Sequence, residues 1–210
     1  MVGKQLFDGQ PVIGFHLDRD RRNFIKWAGI IGCGGTLAVL TRDRFASAQG
    51  DNGDIDILNY ALSLEYLEAD FYDQGIQADL LSGREQELVN SIHQHETEHV
   101  AALESTVQDL GGTPVETATF SYPNETFGNR NSFLRAAFDL ETLTVKAYHG
   151  QVTKFSNSDL LAAAASIAGT ESRHAAILAD LTGNDPFPAP LEVGAPRNKV
   201  LNAARAYIEG

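Results

Sequence analysis

The sequence predicts an all-α protein, a bundle of four long helices, and three observations carry that expectation. Apolar residues recur at helical spacing through four segments of roughly 22–28 residues. No segment sustains the apolar–polar alternation of a half-buried strand. The second pair of helical segments also repeats the first, residue for residue, at the positions that matter most.

The first helix is expected over residues 54–76, where Ile57, Leu58, Ala61, Leu64, Leu67, Ala69, Phe71 and Tyr72 share one stripe and Gly75 acts as a stop. Ser82-Gly83-Arg84-Glu85 has the form of a capping box, opening a second helix that runs to Leu110 before Gly111-Gly112. A third helix is expected over residues 132–155, and a fourth from Ser158 to just before Gly183. Short loops join helices 1 and 2 and helices 3 and 4, which makes each pair antiparallel neighbours. Residues 111–131, with Pro114, Pro123 and Gly128, form a single long crossover between helices 2 and 3. Beyond Gly183, Asp185-Pro186-Phe187-Pro188-Ala189-Pro190 reads as extended, and Pro196 opens a short amphipathic helix through Ile208.

Charge divides the chain. Residues 1–48 carry seven basic against four acidic side chains, so a total of −12 leaves −15 on residues 49–210. The acidity argues against a nucleic-acid partner, because phosphate backbones demand an excess of Lys and Arg. Within the basic head, Asp20-Arg21-Arg22-Asn23-Phe24-Ile25-Lys26 resembles a twin-arginine export signal. An apolar run from Trp27 to Leu40 follows, then the small-residue cleavage pattern Ala46-Ser47-Ala48. That run is too short to span a bilayer as a helix, so cleavage leaves no membrane span. The expected organisation is a twin-arginine signal peptide at 1–48, the helical bundle at 49–183, and a Pro-rich extension with a short helix at 184–210. Ile30-Ile31-Gly32-Cys33 resembles a lipoprotein box, but the apolar run continues past it, which favours cleavage near Ala48. The only Met, Trp and Cys would then leave with the leader. The expected location is periplasmic or extracellular.

The chemistry is concentrated in a motif that occurs twice. Glu96-Thr97-Glu98-His99 and Glu171-Ser172-Arg173-His174 both read Glu-x-x-His. A single glutamate precedes each at nearly the same distance, Glu65 before the first and Glu141 before the second. Laying the third helix over the first superposes Leu58 on Leu134, Ala61 on Ala137, Leu64 on Leu140, Glu65 on Glu141 and Tyr72 on Tyr148. Laying the fourth over the second superposes Ile92 on Ile167, Glu96 on Glu171, His99 on His174 and Leu103 on Leu178. The two hairpins therefore read as copies about a pseudo-twofold axis. Residues three apart on a helix share a face, so Glu96 with His99 addresses one ion and Glu171 with His174 a second. Glu65 and Glu141 add one carboxylate each. Carboxylate oxygens with one imidazole per ion suit iron or manganese, and four carboxylates in a core demand cations to neutralise them.

The repeat also ranks the neighbours. Glu68 competes with Glu65 but aligns with Thr144, which decides for Glu65. His95 aligns with Thr170 and reads as flanking, while His93 and His149 are expected to be exposed. Tyr72 and Tyr148 lie two turns beyond Glu65 and Glu141, placed to hydrogen-bond the ligand carboxylates, to pass electrons, or simply to pack.

With these motifs the chain resembles the ferritin-like superfamily, which includes ferritins, bacterioferritins, rubrerythrins and manganese catalases. Leu64-Glu65-Tyr66-Leu67-Glu68-Ala69-Asp70-Phe71-Tyr72 is most similar to exported ferritin-like proteins of the desiccation-related group. The resemblance implies the one-crossover bundle and a di-iron or di-manganese centre at Glu65, Glu96, His99, Glu141, Glu171 and His174. It implies that Glu96 and Glu171 bridge the ions, and that the site handles O2 or H2O2. Ferroxidase, peroxidase and manganese catalase activities share this ligand pattern, and so does a non-catalytic stress protein holding metal for structure. A homo-oligomer is compatible with the sequence, and nothing in it requires a storage cage.

Overall fold

The computed structural model describes residues 52–208. The twin-arginine pattern, the apolar run, Cys33 and Ala46-Ser47-Ala48 lie outside the described residues. Four long helices follow in order: α1 (Asn52–Gln77), α2 (Gly83–Asp109), α3 (Arg130–His149) and α4 (Ser158–Thr182). A short α5 (Arg197–Ala204) and two 3-10 turns, Val152–Lys154 and Arg205–Tyr207, complete the fold. Among the described residues, strand-like pairing is limited to one antiparallel bridge between Phe120 and Ile208.

The bundle is two helical hairpins, α1 with α2 and α3 with α4, joined by the long crossover the sequence predicts. Their shared interior holds Leu64, Leu67, Phe71, Val89, Ile92, Phe133, Leu134, Ala137, Leu140 and Leu178. Each of the large side chains contributes about 1.5–3 kcal/mol by leaving water. Tyr122 and Phe127 of the crossover pack on Phe71, with ring centroids 5.6 and 5.5 Å away. The Tyr122 hydroxyl donates to Asp70 Oδ2 at 2.8 Å, fastening the crossover to α1. At the opposite end, the buried Asp54 carboxylate accepts from the Ser156 amide and hydroxyl and from the Asn157 amide, tying α1 to the α3–α4 loop.

Four local details depart from the sequence-based expectations. Gly75 does not stop α1; it lies inside the helix because the Phe133 ring occupies the space of a side chain, 2.1 Å from where a Cβ would sit. The capping box at Ser82 does not form. The Ser82 side chain makes no cap bond, and Glu85 instead accepts from the Arg130 guanidinium at the start of α3, with Nε to Oε2 at 2.8 Å. A charged pair between two helices displaces a weaker bond within one.

The third departure is the length of α3, which ends at His149 rather than near Phe155. The Lys146 carbonyl accepts from Gly150 N at 3.0 Å and from Ala195 N at 2.9 Å, so the returning C-terminal segment terminates the helix. That approach needs glycine, since a Cβ on Gly150 would lie 2.0 Å from the Ala195 carbonyl oxygen. Pro196 then caps α5 from outside, and α5 buries Val200 and Ala204 against the core. The helix is shorter than expected because Arg205–Tyr207 tightens into a 3-10 turn that delivers Ile208 to Phe120.

Candidate metal centre

Each long helix sends carboxylates into the middle of the bundle. Glu65 on α1, Glu96 on α2, Glu141 on α3 and Glu171 on α4 are all fully buried, and His174 is nearly so. Three-residue spacing on one helix face brings His99 to the Glu96 side chain and His174 to that of Glu171. The six residues fall into two overlapping groups that could each hold a metal ion: Glu65, Glu96, His99 and Glu171, and Glu96, Glu141, Glu171 and His174. Within each group one donor atom per residue lies within 4.8 Å of all the others. Glu96 and Glu171 belong to both.

The donor atoms crowd together without satisfying one another. His174 Nδ1 is 3.0 Å from Glu96 Oε1 and 3.3 Å from Glu141 Oε2. Yet His174 Nδ1, Glu96 Oε1, Glu141 Oε2 and both oxygens of Glu171 lack any aligned hydrogen bond. His99 Nδ1 is shared among three carboxylates, 3.2 Å from Glu65 Oε2, 3.3 Å from Glu96 Oε2 and 3.0 Å from Glu171 Oε1. Buried polar groups are ordinarily paired, because an orphan costs about 1–3 kcal/mol and a charged one more. Lone pairs converging on common points instead of on donors are what a cation would satisfy, so the residues fit two metal ions.

Without a cation the cluster must manage its charge with protons. Burial and the nearby Glu141 push the Glu96 carboxyl up to about 7, and burial with Glu171 pushes Glu141 up to about 8. Burial alone would lower both imidazoles. The carboxylates around them win instead, raising His174 to about 12 and His99 well above its usual range. Glu65 goes the other way: burial opposes its charge, but His99 beside it holds it below the usual carboxylate range.

The two tyrosines singled out by the repeat reach the cluster crosswise. Tyr72 on α1 donates to Glu141 Oε1 on α3 at 2.6 Å, and Tyr148 on α3 donates to Glu65 Oε1 on α1 at 2.5 Å. Burial and these carboxylates push both phenols well above 10, so they remain donors.

Of the four other residues weighed in the sequence reading, His95 flanks the cluster as expected. His95 approaches the cluster indirectly: its Nδ1 lies 2.9 Å from His174 Nε2, with the two rings stacked 5.1 Å apart. The signal was its place one turn before His99, discounted because Thr170 is its counterpart. His93 and His149 are half-buried rather than exposed, and His149 Nδ1 lies 2.8 Å from the Val145 carbonyl oxygen of the preceding turn. Glu68, set aside in favour of Glu65, is fully buried beside it. Its signal was the same three-residue spacing that links Glu96 to His99.

Residues 53–184 match the family described as "Ferritin-like domain". Among solved structures, a ferritin-like, diiron-carboxylate protein from Bacillus anthracis str. Ames is similar at a TM-score of 0.53 and 23% identity, covering 62% of this chain and 96% of that one. A two-domain protein from Anabaena variabilis, with DJ-1/ThiJ/PfpI-like and ferritin-like domains, is similar at a TM-score of 0.51 and 17% identity, covering 81% of this chain and 52% of that one. At these identities the likeness is one of fold. No curated protein matches the chain.

Proposed function

The chain belongs to the ferritin-like domain family, and on that premise we propose that it holds two iron or manganese ions and uses them oxidatively on O2 or H2O2. The observation that carries the reading is the pair of overlapping donor groups sharing Glu96 and Glu171. In this reading Glu96 and Glu171 would be shared by the two positions, Glu65 and His99 would complete one, and Glu141 and His174 would complete the other. Bound iron or manganese supplies one-electron redox at each position, two electrons together, which matches the reduction of peroxide to water. The protein's part is positioning and charge. Four carboxylates balance two divalent cations, and the burial of Leu64, Leu67, Leu140 and Leu178 keeps bulk water from the centre.

Hydrogen bonds keep the carboxylates aimed. Tyr72 and Tyr148 each restrain one oxygen of a terminal glutamate and leave the other free to bind. Were His174 Nδ1 to hold an ion, its Nε2–H would donate to His95, which would fix the ring orientation and link the centre to an exposed imidazole. Export by the twin-arginine route belongs to the same proposal, supported by Arg21-Arg22 and the apolar run after them. That route carries folded, metal-loaded proteins. Arg21→Lys with Arg22→Lys should leave the protein in the cytoplasm.

The test is anaerobic reconstitution with Fe(II) or Mn(II), followed by metal analysis and addition of O2 or H2O2. Two ions per chain are expected, with peroxide-dependent oxidation of the iron-loaded protein. Oxygen release from peroxide by the manganese-loaded protein would instead identify a catalase. Fewer than one ion per chain would rule out a dinuclear centre.

A further inference from the structure

Every long helix presents a pair of residues three apart to the centre of the bundle: Glu65 and Glu68, Glu96 and His99, Glu141 and Thr144, Glu171 and His174. All but His99 are buried, and His99 is nearly so. Seven of these eight side chains are of types that bind metal ions, and the dinuclear set uses only six. The seventh is Glu68.

Glu68 is 1% exposed, and neither of its carboxylate oxygens has a hydrogen-bond partner among the described residues. Nor does any Lys, Arg or His pair with it there. A buried carboxylate with no partner costs several kcal/mol when ionised and about 1–3 kcal/mol even as an unpaired neutral acid, so packing does not explain it. The second half of the chain supplies the comparison: Thr144, its pseudo-symmetric counterpart, is similarly buried at 2% and completes the core without a charge. The groups that most oppose ionisation of Glu68, after burial, are Glu141, then Glu171, Glu96 and Glu65. These four carboxylates are divided between the two donor groups, which share Glu96 and Glu171, and Glu68 itself stands outside both groups. Without a cation, burial and these carboxylates hold the Glu68 carboxyl well above its usual range and so protonated; a metal cation is the partner that would let it ionise where it stands.

Building on the dinuclear reading, we infer that Glu68 is a seventh ligand, added to one of the two ions, so that the two positions bind unequally. Charge supports the asymmetry. Four carboxylates neutralise two divalent cations, whereas five match one divalent and one trivalent ion. The position next to Glu68 is the one favoured to bind first and to hold the higher charge. Two similar hairpins thus yield two different sites, with Thr144 marking the poorer one.

The experiment is a titration of the metal-free full chain with Mn(II), reading free ion by electron paramagnetic resonance and heat by calorimetry. Two steps are expected, the first roughly tenfold tighter or more. Glu68→Gln and Glu68→Thr should weaken that first step by roughly 10–100-fold, the range for loss of a metal-supporting group, and leave the second within about threefold. Thr144→Glu should tighten the weaker step and bring the two together. Thermal unfolding of the metal-free variants checks folding, and Glu68→Thr copies a residue the fold already accepts at the equivalent place. Two ions bound with no change in Glu68→Gln, or with both steps weakened alike, would overturn the assignment while leaving the dinuclear centre intact. Failure of the unaltered protein to take up two ions would remove the centre itself.

Discussion

The Tyr72 hydroxyl on α1 crosses the bundle to donate to Glu141 on α3 at 2.6 Å. Its repeat-related partner, Tyr148, makes the reverse bond to Glu65. Each tyrosine thus restrains the terminal glutamate of the other hairpin. Tyr72→Phe should weaken binding at the Glu141 position, and Tyr148→Phe at the Glu65 position, by roughly 10–100-fold. Metal titration of each variant reads this out. Equal weakening of both steps in both variants would contradict the crosswise assignment.

Sharing of Glu96 and Glu171 predicts a second pattern. Glu96→Gln or Glu171→Gln should abolish tight binding of both ions, whereas Glu65→Gln or Glu141→Gln should leave one in place. Metal content after gel filtration distinguishes the classes, with helicity by circular dichroism as the folding control. Retention of one tightly bound ion by Glu96→Gln would show that it does not bridge.

Proton balance predicts opposite pH trends for the two forms. The Glu96 and Glu141 carboxyls titrate near 7 and 8 in the folded chain, against about 4.5 unfolded. The folded, metal-free protein therefore holds more protons than the unfolded chain between about pH 4.5 and 8, and its stability falls as pH rises through that window. The raised imidazoles of His99 and His174 act in the same direction from about 6.5 upward. Glu65, with its lowered carboxyl, contributes in the other direction, below about 4.5. Metal binding displaces these protons, so affinity should rise over the same range. Thermal unfolding at about pH 5, 6.5 and 8, with chelator or with Mn(II), tests both trends. A metal-free midpoint that climbs steadily across that series would contradict them.

Gly75 gives a prediction about packing. Glycine in mid-helix costs about 1 kcal/mol relative to alanine, so propensity alone says Gly75→Ala stabilises. The Phe133 ring occupies the side-chain space, and overpacking of that kind costs about 1–3 kcal/mol. Denaturant unfolding should show net destabilisation. Phe133→Leu in the Gly75→Ala background should give less loss than the two changes added separately.

Much of this protein was legible along the chain. Helical spacing located the four long helices, to within two positions at every end but the last turns of α3, and loop length paired them into hairpins. The duplicated Glu-x-x-His, with Glu65 and Glu141 at matching places before it, picked out the side chains that the fold gathers into two donor groups. These are local or periodic properties: residues three apart share a helix face wherever the helix goes.

What lies across from a given face was decided only by tertiary structure. Alignment set Glu68 aside, yet the rotation of α1 buries it with Glu65 beside the same four-helix axis. The contact of His95 with His174, the recruitment of Glu85 by Arg130, and the end of α3 beneath Ala195 each join elements distant in sequence. Gly75 reads as a stop until Phe133, on a different hairpin, is seen to fill its space. The physical reason is common to all of them. Spacing within a helix follows from backbone geometry, whereas partners between helices follow from how the hairpins rotate and dock, which depends on every side chain in the core.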